Sequence, residues 1–473
     1  MNKDILTGML MYKGIHFSFV FDGTSLKLIP NDDKSLFDLQ YKEIAPGTYS
    51  LSSIRVEENI LKAYCNESQR HVIFFLPLND FVQQSGRTLL LKPIAYLKEE
   101  YSKDKIARLS FSCPELDIIY PVGKGYAMKG LLSESGEYGV DSEPFDNTTT
   151  ERRSFTFSHK TITCYLSISR NLHYGFRHRA PIEYVSTLFF EFEPTDDYMF
   201  IYDLSCLASK FLDYLCNRQN IKFDSIETAA LTNDGKYERF AQLQIINNVV
   251  PEGYEITKDR VIPYWSIEGY EHEVLQRLSD RTLYLRHIPH SYHSGKTIDE
   301  GSFVMITAAF EWEFKQLYPK GIQKKQKTID AENEVRTELA ECINQVTGKK
   351  KEIYKQLKRI VGTDNLGDEI NHVCRDLETL ITPFANHLYS LNAVEIKYSD
   401  IAERVSTQRN NYAHGNIDKE IIPEVVLDII FLRRVVYIMQ LKTIGVDDQG
   451  ILNAVNQLFG CHLMFDKPIK EDK

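Results

Sequence analysis

Apolar and polar residues alternate along much of the first 195 residues. Ile15, Phe17, Phe19 and Phe21 fall on every second position, and Ile162 to Ile168 repeats this pattern with hydroxyl-bearing residues between the apolar ones. Turn formers such as Asp22-Gly23 separate the runs. Period-two alternation is typical of antiparallel strands with one buried face. We therefore predict a β-rich region, sandwich-like or barrel-like, over residues 1–195.

The pattern becomes mixed over residues 196–299. A helical stripe comes first, because apolar residues recur there with spacings of three and four; they are Leu204, Leu207, Ala208, Phe211 and Leu215. Residues 221–250 again read as strands, and 271–279 as a short helix. This part is interpreted as an α+β continuation of the N-terminal region with a sensing or regulatory role.

From residue 300 onward the apolar spacing is helical throughout. Successive stripes are interrupted at Pro319, Gly348, Gly362 and Gly445, which are residues that end helices. The short connections predict a helical bundle over residues 300–460, followed by a polar tail, 461–473. The predicted fold class is therefore α+β and multidomain, with a β-rich antiparallel N-terminal region followed by a C-terminal all-α bundle.

The placement of the cysteines and the character of the N-terminus lead to an expectation about the cellular compartment. The eight cysteines are scattered without a C-x-x-C pair, as expected of buried thiols in a reducing cytosol. The N-terminus lacks the pattern of a signal peptide, and no uncharged run reaches the length of a membrane span. We expect a cytoplasmic protein with no membrane partner. The net charge of −10 is not a basic footprint and does not by itself indicate nucleic acid.

The candidate chemistry lies in Gln408–Gly415, late in the helical part. Arg409 is a fixed cation that can clamp a phosphate, Asn410 is a polar orienting group, and His414 can move protons near neutral pH. On a regular helix, positions 409 and 414 differ by about 140° around the axis. Either the helix loosens before Gly415, or a second copy of the chain completes the site across a two-fold axis.

These groups suit cleavage of RNA, which carries its own nucleophile in the 2′-hydroxyl. His414 would act as general acid or base, and Arg409 would stabilise charge on the phosphate. Asn410 would hold the phosphate or the imidazole, while Asn411 and Tyr412 would contact the substrate. The expected products are a 2′,3′-cyclic phosphate and a 5′-hydroxyl, with no metal and no cofactor. The alternative is that Arg409-Asn410 only caps a helix end.

The segment Tyr398–Gly445 resembles the C-terminal half of a HEPN domain, whose ribonuclease members carry Arg, a polar residue and then His at this spacing. The β-rich N-terminal part is similar to that of the ApeA-like bacterial anti-phage proteins. The resemblance implies a homodimeric, metal-independent endoribonuclease that cleaves cellular RNA such as tRNA. It also implies abortive infection, with activity withheld until a phage-derived trigger appears. An acidic or polar helper comes from an earlier helix in such nucleases, and Glu311 and Glu313 are both candidates.

Other features support weaker hypotheses. Lys350 and Lys351 belong to basic clusters that would track an RNA backbone. His287, His290 and His293 surround Pro289, which argues against a helix presenting them to a metal, so no metal site is predicted. The aromatic and basic run 173–179 is interpreted as a solvated connection. The remaining functional alternative is a non-catalytic HEPN-type module that dimerises or binds nucleic acid or protein.

Overall fold

The computed structural model describes residues 5–103, 105–129, 139–172, 182–253, 258, 260–413, 415 and 421–465. The chain divides into two compact units. The first comprises Met1–Lys258 with Glu271–Asp280, and the second comprises Asp259–Tyr270 with Arg281–Lys473.

The first unit is built on strands. Its eighteen described strands are β1 Leu6–Tyr12, β2 Ile15–Phe21, β3 Leu26–Pro30, β4 Tyr41–Ala45, β5 Thr48–Leu51, β6 Ile60–Cys65, β7 Arg70–Phe75, β8 Gln83–Ser85, β9 Thr88–Leu91, β10 Ala95–Glu99, β11 Ile106–Ser112, β12 Tyr126–Lys129, β13 Gly139–Ser142, β14 Arg153–Phe157, β15 Lys160–Leu172, β16 Ile182–Thr195, β17 Ser225–Leu231 and β18 Tyr237–Ile245. Fourteen of them form one antiparallel sheet in the order β14-β15-β16-β11-β17-β18-β10-β7-β6-β1-β2-β3-β9-β8.

The alternation of apolar and polar residues in the sequence corresponds to an alternation of buried and more accessible side chains along the strands. Phe17, Phe19 and Phe21 of β2 are buried, while the residues between them are half-buried or exposed. Strands on both sides of residue 195 share the sheet, because β17 pairs with β11 and with β18. The main sheet therefore includes strands from β1 to β18, while β4 with β5 and β12 with β13 form two separate two-stranded sheets.

The described helices that accompany the sheet are α1 Asp33–Gln40, α2 Pro114–Ile119, α3 Tyr198–Cys216 and α4 Glu271–Ser279. The predicted stripe on α3 is confirmed as buried, and Asp197 caps the helix by accepting a hydrogen bond from the Phe200 amide. A buried ion pair joins Arg218 to Glu115 at 2.7 Å. Breaking one partner of such a pair would leave an uncompensated charge.

The described helices of the second unit are α5 Glu300–Leu317, α6 Gln326–Gln345, α7 Gly348–Ile360, α8 Leu366–Asp376, α9 Glu378–Leu391, α10 Tyr398–Ala413, α11 Pro423–Ile444 and α12 Asp448–Leu458. The central helix is α11, which is buried around most of its circumference and packs against α5, α9, α10 and α12. A helix that is apolar on nearly all sides belongs in the middle of a bundle. The predicted α+β class, strands first and helices after, is confirmed.

Helices α6 and α7 differ from the rest of the bundle. They form a hairpin by packing against each other, and neither contains a buried residue. The predicted apolar stripe of α7 is helical, but Ile353, Leu357 and Ile360 are 55%, 45% and 65% exposed. The stripe is therefore not part of the bundle core. In the part of the chain that the structure describes, no helix has the length and apolar character needed to cross a membrane.

Candidate functional site

Arg409 lies on α10 with its guanidinium directed at α5. Its Nη2 donates to both carboxylate oxygens of Glu311, at 3.2 Å and 3.3 Å. The buried face of α10 consists of Ile401, Ala402, Val405 and Gln408. Arg409 lies at the edge of that face. The Arg409 and Glu311 side chains are 38% and 28% exposed, respectively. The guanidinium is thus oriented by a carboxylate while remaining open to solvent, as a phosphate clamp requires.

The two candidate helpers on α5 have different roles. Glu313 is fully buried, and its Oε1 accepts hydrogen bonds from the Tyr284 amide and from Gln440 Nε2. These bonds hold the loop before α5 and the helix α11 in place. Positions two apart on a helix lie about 200° from each other, so only one of the pair can face Arg409. That residue is Glu311.

The position of α10 is set by a buried polar network. Arg404, one turn before Arg409, donates from Nε and Nη2 to the two carboxylate oxygens of Asp428 at 2.7 Å and 2.9 Å. Tyr389 Oη donates to Asp428 at 2.6 Å. Asp428 is wholly buried on α11, and a two-point guanidinium pair of this kind fixes both distance and direction. The network ties α10 to α9 and α11 and so holds Arg409 in place.

The C-terminal end of α10 carries the remaining motif residues. Tyr412 packs edge-on against the buried Phe303 of α5, with ring centroids 5.4 Å apart. Asn410 is exposed and Asn411 is half-buried. Gly415 takes a left-handed φ of +72°, and its amide donates to the Tyr412 carbonyl at 3.1 Å. The helix ends at Ala413, and the chain has left the helical conformation by Gly415. His414 itself lies outside the described residues.

Tyr412 therefore serves the packing of α10 rather than presenting an open ring. Its hydroxyl oxygen is buried with no hydrogen-bond partner among the described residues. A base-stacking platform needs an accessible aromatic face, whereas this ring is partly buried against Phe303. Asn410 is exposed and Asn411 half-buried on the same turn, and the substrate contacts predicted for Asn411 and Tyr412 stay predictions.

A residue absent from the sequence hypotheses joins the site from α8. Glu369 is only 9% exposed, and its Oε2 has no hydrogen-bond partner within the described part of the chain. Burial, the largest cause, and the negative charge of Glu311 raise the pKa of Glu369 to about 7, while Lys315 acts in the opposite direction. A carboxyl with a pKa near 7 beside Glu311, the partner of Arg409, can change the charge of this cluster near neutral pH.

The sequence contains a weak signal for Glu369. Leu366, Ile370 and Val373 form the buried stripe of α8, and Glu369 falls within the same stripe at three residues from Leu366. A charged residue on an apolar stripe is seldom fully buried without a reason. The sequence pattern therefore identifies Glu369 as an unusual position, but it does not show that Glu311 on α5 is its neighbour.

The remaining predicted residues lie elsewhere. Lys350 is exposed and Lys351 half-buried on α7, in the hairpin with α6, whereas α10 packs on α5, α8 and α11. His287 is buried, and burial lowers its pKa to about 3, with Arg433 adding to the effect. It packs between Tyr284 and Tyr437, which is a core position. Within the described ranges, no group of three or more His, Cys, Asp or Glu residues has the arrangement of a metal site. The run 173–179 lies outside the described residues.

Comparison with known proteins provides no relative: no family model, no curated protein and no solved structure matches this chain. The site therefore has to be interpreted from its own geometry.

Proposed function

We propose that the chain is a metal-independent RNA endonuclease of the HEPN type. The observation that carries the proposal is the half-exposed Arg409, oriented by Glu311 at the end of α10, five residues before His414. Arg404 ties α10 to α11 through Asp428. Arg409 uses Nη2 on Glu311, and its other donors make no hydrogen bond among the described residues and stay available for a ligand.

The reaction follows from the groups at the site. His414 accepts the proton of the RNA 2′-hydroxyl, whose oxygen attacks the adjacent phosphorus and forms the cyclic phosphodiester. The bond from phosphorus to the 5′-oxygen breaks, and a protonated acid returns a proton to that oxygen. Arg409 donates hydrogen bonds to the non-bridging oxygens as negative charge grows on them. The substrate supplies the nucleophile, so this mechanism requires no cofactor.

We propose that the RNA backbone also runs along the hairpin of α6 and α7. Arg336, Lys355, Lys358 and Arg359 line a groove between the two helices, and Lys350 and Lys351 continue the basic surface of α7. Cations spaced along a surface attract a phosphate backbone without reading its sequence. This surface would bind cellular RNA, tRNA included, while cleavage takes place at Arg409.

Replacing Lys350 and Lys351 together with alanine should weaken RNA binding and reduce its salt dependence. Each lost phosphate contact lowers the slope of log K against log salt by about 0.7 for single-stranded RNA, so the pair should lower it by about 1.4. Filter binding across a salt series measures the slope. The matched control is Lys320→Ala with Lys397→Ala, which removes two exposed lysines outside the hairpin. An unchanged slope in the hairpin variant would contradict the role given to α7.

We further propose that the active form is a homodimer. The exposed stripe Ile353, Leu357 and Ile360 on α7 is an apolar surface of the kind that a partner covers. Light scattering should give about twice the chain mass of 54.8 kDa, and Leu357→Asp should shift the protein toward the monomer. The matched control is Gln356→Asp, a neighbouring exposed position outside the stripe. A parent protein that is monomeric and cleaves RNA would contradict the proposal.

The biological setting is proposed from the resemblance to ApeA-like proteins. In this view the chain acts in phage defence by abortive infection, inside the cytoplasm, with the β-rich region as sensor and regulator of the bundle. A phage-derived trigger would release the nuclease. A cell that cleaves its own RNA stops producing phage, but it also stops its own protein synthesis. The activity of such a defence nuclease is therefore withheld until infection.

The test is incubation of the purified full chain with total cellular RNA in EDTA, followed by analysis of the product ends. We expect cleavage that leaves 2′,3′-cyclic phosphates and 5′-hydroxyls, and its loss in His414→Ala. The same pair should be expressed in cells with and without phage infection, which is expected to release the activity and make the parent toxic while the variant stays harmless. A parent that binds RNA, leaves it intact and stays harmless even during infection would support the non-catalytic HEPN-type module instead.

A further inference from the structure

The sheet of the first unit carries a polar groove on the face opposite Leu109, Phe111 and Phe190, which are fully buried. The groove crosses four neighbouring strands, β15, β16, β11 and β17. Ser112 lies opposite Thr187 on one side and Ser225 on the other, and its hydroxyl is 2.9 Å from that of Ser225. The full lining is Arg108, Ser110, Ser112, Phe145, Ser169, Asn171, Val185, Thr187, Phe189, Ser225 and Glu227.

The groove is recessed, unlike an ordinary wet sheet face. Ser110 and Thr187 are only 8% and 7% exposed although they point away from the core. The segment carrying Phe145 forms one wall and is tied to the sheet by a hydrogen bond from Thr149 Oγ1 to Ser167 Oγ at 2.9 Å. The enclosed volume is about 300 Å³, which falls in the range of small-molecule sites.

Arg108 is the charged residue of this groove that has no ionic partner among the described residues. Its guanidinium carbon lies 4.4 Å from the ring centroid of Tyr237 and 5.1 Å from that of Phe189, which fixes the plane of the group. Among the described residues it makes no ion pair and no side-chain hydrogen bond, and its Nε is buried without a partner. Stacking occupies the faces of a guanidinium and leaves its N–H edge for an anion.

The carboxylates near Arg108 are already engaged by other groups. Glu227 is paired with Arg239. Glu191 accepts from Arg152 at 2.8 Å and from the Tyr165 hydroxyl at 2.7 Å. Both carboxylates are therefore held by other arginines, so neither is bound to Arg108, and an anionic ligand would give its guanidinium a partner.

We propose that this groove binds a small phosphorylated ligand bearing hydroxyl groups, such as a mononucleotide or a sugar phosphate. Arg108 would donate to the phosphate in a fork, which suits a group with several acceptor oxygens. Ser110, Thr187 and Ser225 would hydrogen-bond the hydroxyls, while Phe145 packs against the apolar part of the ligand. The site belongs to the first unit and does not depend on the nuclease proposal.

The experiment is calorimetric titration and thermal denaturation of the full chain with inorganic phosphate, the four ribonucleoside monophosphates and glucose 6-phosphate. Adenosine and glucose serve as unphosphorylated counterparts. We expect phosphorylated compounds to bind at least about tenfold more tightly than their counterparts, since a charge-assisted contact is lost. The nucleotides and the sugar phosphate distinguish the two ligand sources. Absence of binding by every phosphorylated compound would overturn the proposal.

Arg108→Ala should weaken binding about tenfold or more. Its matched control is Arg55→Ala, because Arg55 is stacked over Phe81 at 4.4 Å but lies outside the groove. If the Arg108 variant fails to fold, Ser225→Leu provides the second test, since it fills the groove from β17 without altering charge. Binding that persists unchanged in both groove variants would show that the ligand lies elsewhere and would overturn the assignment.

Discussion

Replacing Arg409 with alanine is expected to lower RNA cleavage about a thousandfold while leaving the fold intact. The loss follows from removing a charged donor from the oxygens that gain charge in the transition state. The fold should survive because the Arg409 side chain is 38% exposed and its ion pair with Glu311 is partly solvated, a class of pair that contributes little to stability. The measurement is the initial cleavage rate of a labelled RNA under single-turnover conditions, with circular dichroism as the check on folding.

Three further variants separate charge from geometry. Arg409→Lys should retain the charge but lose the fork, and we expect about a hundredfold loss. Glu311→Gln should leave the guanidinium less well oriented and lower the rate by a smaller factor, about tenfold. Arg375→Ala, an exposed arginine on α8, is the matched control and should cleave normally. A rate in Arg409→Ala equal to that of the control would remove Arg409 from the mechanism.

The contrast between Glu311 and Glu313 shows what the sequence could and could not predict. Both lie on a helix whose existence follows from the spacing of Ile306 and Phe310. The choice between them depends on which side of α5 faces α10, and that is decided by contacts between segments about 100 residues apart. Local periodicity predicts that a helix has an inner face, but it does not identify the neighbour on its edge.

The same limit explains the other differences. The apolar stripe of α7 predicted its helix correctly, yet apolar spacing alone did not show that Ile353 and Leu357 would be exposed. The groove at Arg108 forms because β11 pairs with both β16 and β17, and both of these strands lie far from β11 in the chain. Alternation predicts strands but leaves their order in the sheet open. Only the assembled sheet brings Arg108, Thr187 and Ser225 together.

Glu369→Gln is expected to stabilise the protein at alkaline pH and to change the pH profile of cleavage. Burial raises the pKa of Glu369 from 4.5 to about 7, assisted by Glu311 and opposed by Lys315, with Asp364 and Asp368 adding to the rise. Below the ordinary value the carboxyl is protonated in both folded and unfolded chains. As the pH rises toward 7, the folded state holds a proton that the unfolded state has released, so stability falls.

Above pH 7 the folded protein bears the full cost of a buried negative charge, about 3 kcal/mol for a shift of this size. Glutamine does not ionise, so the variant should gain that amount relative to the parent at pH 8 and almost nothing at pH 4. Chemical denaturation at both pH values measures the difference. Glu378→Gln, an exposed glutamate at the start of α9, is the matched control and should show a much smaller pH-dependent difference. Equal stabilities of parent and Glu369→Gln at pH 8 would contradict the raised pKa.

The pH dependence of KM for RNA provides a second, independent test of Glu369. When Glu369 ionises, the site gains a negative charge next to Glu311, which opposes the approach of an RNA phosphate to Arg409. The parent should therefore lose RNA affinity as the pH rises through 7, whereas Glu369→Gln should keep it. Effects of pH that are common to both proteins cancel in the ratio of their KM values, so this ratio isolates the contribution of Glu369. A constant ratio would mean that Glu369 affects stability alone and that the phosphate site is governed by Arg409 and Glu311 without it.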